Sequence, residues 1–82
     1  MIDLTGYRVF VTGAGSGIGL ASVKQACAMG ARVAGTVRGP EQRDVLRRHL
    51  DDENIFDLDV ADSAVLDQAV SDTIARFGGL DG

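Results

Sequence analysis

The sequence is poor in residues that cross-link a small protein or anchor it in a membrane. Cys27 is its one cysteine, which excludes an internal disulfide, and no cluster of Cys and His offers ligands for a metal. No apolar run approaches the roughly 20 residues of a membrane-spanning helix, and Met1-Ile2-Asp3 does not begin a basic and then apolar leader. We therefore expect one small cytoplasmic domain of 82 residues, without membrane contact and of marginal stability.

Acidic residues are missing from one half of the chain. None occurs between residues 4 and 40, although the formal net charge of the whole chain is −4. The same segment contains four cationic residues: Arg8, Lys24, Arg32 and Arg38. This asymmetry predicts a positive first half and a solvated acidic second half, and it argues against a general nucleic-acid binder.

Glycine, by contrast, is abundant and concentrated in one turn. Residues 12–19 read Thr-Gly-Ala-Gly-Ser-Gly-Ile-Gly, directly after the apolar run Val9-Phe10-Val11. A chain that leaves a buried strand for a helix must turn sharply, and it lets a pyrophosphate reach bare backbone only where no Cβ intervenes. Three glycines meet both needs: Gly13, Gly17 and Gly19. The spacing departs from the strict G-x-G-x-x-G pattern because Ile18 stands three residues after Gly15.

The alternative interpretation of this turn is a flexible loop in a chain that has 11 glycines among 82 residues. By composition alone, a Thr-Gly-x3-Gly-Ile-Gly string arises in on the order of one such chain in a thousand. The strand-like segment before it and the helix-like segment after it further favour a nucleotide-binding turn.

Hydrophobic patterning predicts strands and helices in alternation. The first strand is nearly continuous in apolar residues, as is typical of a strand buried on both faces. The last helix begins at an N-cap that is either Asp62 or Ser63. We expect strands at 7–12, 32–37 and 54–58, and helices at 18–29, from Pro40 to about Leu50, and up to Phe77 before Gly78-Gly79.

Two helix faces are predicted to pack on the sheet. The face of the first helix consists of Ile18, Ala21, Ala26 and Met29. The face of the last helix consists of Leu66, Ala69, Val70, Thr73, Ile74 and Phe77. The strand-helix alternation implies right-handed crossovers and a parallel sheet. The predicted fold class is α/β: the first half of a Rossmann fold, three-layer, in the order βαβαβα with strand order 3-2-1.

The glycine string, together with Gly30-Ala31-Arg32-Val33 and Asp59-Val60, resembles the short-chain dehydrogenase/reductase family. This resemblance extends over the whole chain and implies hydride transfer between a nicotinamide and an alcohol or carbonyl carbon. Members of the family continue with a fourth strand, an Asn-Asn-Ala-Gly segment and a catalytic Ser and Tyr-x-x-x-Lys. None of these is present here, where the only tyrosine is Tyr7 and the only lysine is Lys24.

The resemblance therefore implies that residues 1–82 are the N-terminal part of a single NAD(P)-binding Rossmann domain, incomplete at the C-terminus and not catalytic by itself. The alternative is a non-catalytic dinucleotide-binding module or a truncated remnant; an assembly element without a ligand leaves the glycine turn unexplained. In the family's sheet, strand one lies between strands two and four. We expect self-association or the missing C-terminal half to cover strand one, whose Val9-Phe10-Val11 is apolar and uncharged.

The candidate cofactor-binding residues lie at three places. The backbone N–H groups of residues 16–19 and the positive end of the first helix are suited to the pyrophosphate. By resemblance, Gly13 and Gly17 let the cofactor approach, Gly19 lets the helix lie close to strand one, and Ile18 donates its backbone N–H. The turn residues of the candidate site are Gly13, Ser16, Gly17, Ile18 and Gly19.

The end of the second strand indicates which dinucleotide binds. An NAD-binding protein usually places a carboxylate there, about 20 residues after the glycines. The chain has Thr36-Val37-Arg38 instead, and by resemblance Arg38 binds the 2′-phosphate of NADP through its planar fork. NADP is therefore expected rather than NAD, and the alternative is a solvated loop arginine.

Asp59-Val60, after the third strand, resembles the family's pair that meets the adenine ring. Asp59 would accept a hydrogen bond from the adenine amino group, and Val60 would present its backbone and an apolar side. A metal site formed by Asp57, Asp59 and Asp62 is the alternative, and solvated acids near a turn are favoured over it. No metal ligands are assigned.

Overall fold

The computed structural model describes residues 3–82 and contains one sheet with helices between its strands. The strands and helices alternate along the chain, as the sequence predicts. In chain order they are β1 (Arg8–Val11), α1 (Gly17–Ala28), β2 (Arg32–Val37), α2 (Pro40–Leu46), a short 3-10 helix (Asp52–Asn54), β3 (Ile55–Asp57) and α3 (Ser63–Phe77).

The three strands are parallel and β2 lies in the middle. Val9 is in register with Val33, and Gly35 is in register with both Val11 and Ile55. The predicted strand order 3-2-1 is confirmed. Because all three strands run the same way, their carboxyl ends meet at one edge of the sheet, which is where α/β proteins bind ligands.

β2 is the buried centre of the molecule, whereas β1 is only half-buried. Five consecutive residues of β2, Val33 to Val37, are buried, but every residue of β1 retains partial exposure. The expectation that β1 is buried on both faces is therefore wrong for this chain. The physical reason is position: β2 has a strand on either side, while the far side of β1 meets only a few residues.

The two faces of the sheet pack against different helices. Alternation along β2 places Val33 and Val37 on one face, where they cluster with Val23 of α1 and Leu46 of α2. Ala34 lies on the opposite face, and the buried side of α3 lies outside that cluster. α1 and α2 therefore cover one face and α3 the other, which is the predicted three-layer arrangement.

The predicted packing face of α1 was right at Ala26 and wrong at Ile18 and Ala21. Ile18 is 88% exposed and Ala21 is exposed, whereas Val23 is fully buried. Partly buried neighbours at Leu20, Ala26 and Cys27 complete the true face. Small and apolar residues occur all round this helix, so the pattern alone did not single out one face.

The predicted face of α3 was right at its centre. Three members are buried, Ala69, Thr73 and Phe77. The outer members, Leu66, Val70 and Ile74, keep partial or larger exposure. Phe77 also lies under the Arg32 guanidinium, whose carbon is 4.4 Å from the ring centroid.

The ends of the helices follow the sequence signals with one exception. Asp62 is the N-cap of α3, since its side chain accepts a hydrogen bond from Val65 N–H at 3.3 Å. Gly78 ends α3 in the left-handed conformation with φ 82°. α2 stops at Leu46, four residues before the expected end, and the chain then turns so that Leu50 reaches the core.

Residues 81 and 82 lie along the free edge of β1. Gly82 N–H donates to Arg8 O at 3.2 Å, and Phe10 N–H donates to Gly82 O at 2.9 Å. Gly82 is thus bonded to the residues before and after Val9, which is the hydrogen-bond pattern of a parallel strand pair. Beyond Phe10 N–H, no backbone group on this side of β1 is paired within residues 3–82.

Across residues 3–82, every helix is too short or too polar to cross a bilayer.

Candidate dinucleotide-binding site

The turn from β1 into α1 presents unpaired backbone N–H groups. Ser16 is the N-cap of α1 in an extended conformation, and its side chain makes no capping hydrogen bond. The first intrahelical bond at this end is that of Leu20 N–H to Ser16 O. Within the described residues, the N–H groups of Gly17, Ile18 and Gly19 therefore have no partner, and the positive end of the helix dipole lies here.

Gly13 and Gly17 are required by the backbone rather than by crowding. Their φ angles are 64° and 57°, in the left-handed region that side chains disfavour. A Cβ built on either residue meets nothing within 4 Å. The surface over both glycines is therefore open, which matches the bare backbone expected of a phosphate-binding turn.

Gly19 is required by crowding within the turn itself. A Cβ on Gly19 would collide with the carbonyl oxygen of Gly13. We expected Gly19 to let α1 lie close to strand one. In the structure, Gly19 lies close to the turn at Gly13 instead. The first turn of α1 folds directly over the residue that follows β1.

Thr36 fastens the glycine turn to the central strand, a role that the sequence analysis missed. Its Oγ1 accepts a hydrogen bond from Gly13 N–H at 3.0 Å, and its carbonyl accepts one from Ala14 N–H at 2.7 Å. Thr36 is 1% exposed. The one signal in the sequence was a polar side chain among the apolar residues of positions 33–37.

Gln42 connects the end of β2 to the same turn and was also missed. Its Oε1 accepts a hydrogen bond from Arg38 N–H at 2.9 Å. A Cβ on Gly15 would lie 2.5 Å from the Cβ of Gln42, so α2 packs against the turn at this point. The backbone of Arg38 is thereby fixed relative to the glycine turn.

Arg38 and Asp59 form an ion pair across the ends of β2 and β3. Arg38 Nη1 lies 3.3 Å from Asp59 Oδ1, and the two side chains are 65% and 53% exposed. Asp59 Oδ1 also accepts a hydrogen bond from Ala61 N–H at 2.9 Å, and Val60 beside it is exposed. Both residues are candidate cofactor ligands from the sequence, and their contact is visible only in the structure.

The expected positive charge of the first half is partly neutralised by acids from the second half. Besides the Arg38 pair, Arg8 binds Asp81 through Nε at 3.0 Å and through Nη2 at 3.2 Å. Hydrogen bonds from the Arg8 side chain and backbone hold the pKa of Asp81 below its usual value. Charge counted along the sequence therefore overstates the positive field, because the fold brings the two halves together.

The other carboxylates near the site bind backbone groups. Asp57 Oδ1 accepts a hydrogen bond from Gly39 N–H at 3.1 Å, and Asp62 caps α3. Within residues 3–82, no group of three His, Cys, Asp or Glu is arranged to hold a metal ion.

Comparison with known proteins agrees with this fold. The family model described as short chain dehydrogenase matches residues 7–82. This chain belongs to the short-chain dehydrogenase family. The family is one of oxidoreductases with a Rossmann fold, and the match includes the glycine turn, Arg38 and Asp59.

Individual members of the short-chain dehydrogenase family are similar over nearly all of this chain. A 2,5-dichloro-2,5-cyclohexadiene-1,4-diol dehydrogenase of Sphingobium indicum is 39% identical over 83 residues, which cover 100% of this chain and 33% of the relative. This chain thus spans about a third of the length of that relative.

Solved structures of the family superpose closely. A blue fluorescent protein from a metagenomic library, in complex with NADPH, is 32% identical with a TM-score of 0.83, over 96% of this chain and 35% of that one. A 3-ketoacyl-(acyl-carrier-protein) reductase from Brucella melitensis, complexed with NADH, is 29% identical with a TM-score of 0.80, over 96% of this chain and 33% of that one. Members with either cofactor therefore share this fold.

Proposed function

We propose that this chain is the NADP(H)-binding segment of a short-chain dehydrogenase/reductase, which moves a hydride between a nicotinamide and an alcohol or carbonyl carbon. The observation that carries the proposal is the position of Arg38. It follows the central strand two residues after Thr36, and Thr36 is bonded to the glycine turn. One cofactor can therefore reach both the turn and the guanidinium.

The glycine turn fits a pyrophosphate. The unpaired N–H groups of Gly17, Ile18 and Gly19, together with the Ser16 hydroxyl, supply donors at the positive end of α1. The open surface over Gly13 and Gly17 gives a charged group access to these donors. In this proposal Ile18 contributes only its backbone N–H, and its side chain is exposed.

Arg38 fits the 2′-phosphate that distinguishes NADP from NAD. No carboxylate stands at residues 36–38 to accept bonds from a ribose 2′-OH. Within residues 3–82, the Nε and Nη2 groups of Arg38 form no hydrogen bond, so one edge of the guanidinium is free. Such an edge binds two phosphate oxygens in parallel.

Asp59 and Val60 fit the adenine. They follow β3 on the same edge of the sheet as Arg38, and the ion pair shows how near the two positions are. The carboxylate provides an acceptor for the amino group of adenine, and exposed Val60 provides an apolar surface for the ring.

The same proposal treats residues 1–82 as one part of a larger Rossmann domain. Residues 81 and 82 already lie beside β1 as a parallel neighbour. Further chain, or a second copy, would continue that neighbour and cover the rest of the β1 edge.

The test is the dissociation constant of the chain for NADPH and for NADH, measured by calorimetry. We expect tighter binding of NADPH, because Arg38 meets a charge that NADH lacks. A charge-assisted hydrogen bond is worth about 1.5–3 kcal/mol, so Arg38→Ala should remove roughly tenfold or more of the preference.

The matched control is Arg48→Ala. Arg48 is an exposed cation just after α2, and within residues 3–82 its side chain makes no hydrogen bond or ion pair. This control should retain the preference. Equal dissociation constants for NADPH and NADH in the unmutated chain would refute the NADP proposal.

A further inference from the structure

Asp59 faces Arg38 with one carboxylate oxygen and leaves the other one free. Oδ1 receives Ala61 N–H at 2.9 Å and lies 3.3 Å from Arg38 Nη1. Within residues 3–82, no hydrogen bond reaches Oδ2. The Ala61 bond ties the carboxylate to its own turn, so the orientation of the ion pair does not depend on two mobile side chains alone.

Arg38 divides its guanidinium in a complementary way. Nη1 lies 3.3 Å from Asp59 Oδ1, while the Nε and Nη2 groups on another edge have no partner in the described part of the chain. The Arg38 backbone is held separately by Gln42 Oε1 at 2.9 Å. The side chain thus has a fixed base and one contact that limits its rotation, and it keeps an edge free for two oxygens.

We propose that Asp59 is a specificity-determining residue that positions Arg38 for the 2′-phosphate, so that the adenine and 2′-phosphate subsites act as one unit. This inference rests on the proposed function. Arginine loses considerable side-chain entropy when it is immobilised. A carboxylate that restricts Arg38 before binding removes part of that loss, and the benefit reaches only a ligand that carries the phosphate.

The charge of Asp59 also acts in the opposite direction, because it repels a phosphate. Both groups lie in solvent-exposed surroundings, where repulsion over several ångströms is screened by water and salt. The direct contact at 3.3 Å is screened less, because no water lies between groups at that distance. In this proposal, the positioning of Arg38 by Asp59 therefore outweighs the repulsion between Asp59 and the phosphate. Whether loss of the Asp59 charge lowers or raises the NADPH preference tests this directly.

The experiment is a double-mutant cycle on the full chain, with NADPH and NADH as probes. The variants are Arg38→Ala, Asp59→Asn and the double variant, and the readout is the ratio of the two dissociation constants. A lost adenine contact weakens both cofactors alike and cancels in this ratio. Exposed ion pairs are worth a factor of about two to five, so Asp59→Asn should lower the NADPH preference by that factor.

In the Arg38→Ala background, Asp59→Asn should leave the ratio unchanged or raise it slightly, because no guanidinium remains to be positioned and only the screened repulsion of the phosphate is removed. Asp67→Asn removes the same charge from an exposed position on α3 and should also leave it unchanged. Circular dichroism checks that each variant is folded, and Asp59→Glu, which keeps the charge but shifts the carboxylate, is the second test of geometry. It should lower the ratio as well.

The outcomes separate this inference from the proposed function. If the unmutated chain prefers NADPH and Asp59→Asn retains or increases that preference, positioning by Asp59 is refuted while NADP binding stands. If the unmutated chain binds both cofactors equally, the proposed function itself fails. An equal loss of preference in both arginine backgrounds would show that Asp59 acts independently of Arg38, which also overturns the inference.

Discussion

At the scale of single residues, the site depends on polar side chains that form hydrogen bonds with the backbone. Thr36 is the clearest case, since its hydroxyl accepts the Gly13 N–H while the residue is almost completely buried. Gln42 acts similarly from the side of α2. Both side chains act through hydrogen bonds to the backbone, so their importance lies in the geometry that they fix.

Replacement of Thr36 by Val should destabilise the fold by about 1–3 kcal/mol, because the side chain keeps its shape but leaves Gly13 N–H without its partner. Urea unfolding followed by circular dichroism measures this change. Thr36→Ser is the matched control, since it retains the hydroxyl, and it should lose clearly less. If the Ser and Val variants were equally unstable, the hydrogen bond would not be the cause.

At the scale of secondary-structure elements, α3 shows how a local signal fixes a boundary. The sequence left two candidate N-caps, and the structure selects Asp62, whose carboxylate accepts Val65 N–H. The C-terminal end is set by Gly78 in the left-handed conformation, where a side chain is disfavoured. Both ends of this helix are therefore encoded within a few residues.

Asp62→Ala should lower the free energy of unfolding by about 1 kcal/mol, because it removes the acceptor for the first turn of α3. The adjacent substitution Ser63→Ala should be nearly neutral, since Ser63 is the first helical residue and not the cap. Thermal melts of the two variants under identical conditions provide the comparison. The reverse order of stabilities would mean that Ser63 caps the helix.

At the scale of the whole molecule, Arg8 connects the first strand to the last described residues. Its side chain binds the Asp81 carboxylate and also donates to Gly78 O at 3.0 Å, and its backbone N–H donates to Asp81 Oδ2 at 2.8 Å. These bonds hold the segment after α3 against the edge of β1. They also place residues 81 and 82 beside β1, as the start of a fourth parallel strand on the edge that was expected to be uncovered.

This connection makes stability depend on pH in a defined direction. The pKa of Asp81 is lowered by the Arg8 hydrogen bonds below its ordinary value of 3.8. Its stabilising effect is complete above that ordinary value and is lost as the pH falls through the lower value of the folded state. Asp81→Asn should therefore be less stable than the unmutated chain at neutral pH, with a difference that shrinks in strong acid.

Urea midpoints at pH 7 and at about pH 3 measure this difference. Asp67→Asn controls for the loss of one negative charge and should show little change at either pH. A deficit of Asp81→Asn that stayed the same at both pH values would exclude the carboxylate as its source.

The sequence by itself determined the order of strands and helices, the parallel sheet, the glycine turn and the positions of Arg38 and Asp59. These features depend on local signals: apolar periodicity, capping residues and glycines at positive φ are all properties of a few adjacent residues. The bounds of β2 were predicted to the residue, and those of α3 nearly so, because a cap or a glycine marks each end.

Only the tertiary structure decided which face of α1 is buried, that Thr36 and Gln42 hold the turn, and that Arg38 and Asp59 touch. Thr36 and Arg38 bind partners that are far away in the sequence, and Gln42, whose hydrogen bond to Arg38 is local, meets the turn only because α2 packs against Gly15. On α1, small and apolar residues all round the helix did not single out one face. The sheet brings the ends of β2 and β3 together, so a charge pair between residues 38 and 59 arises from strand register rather than from any local pattern.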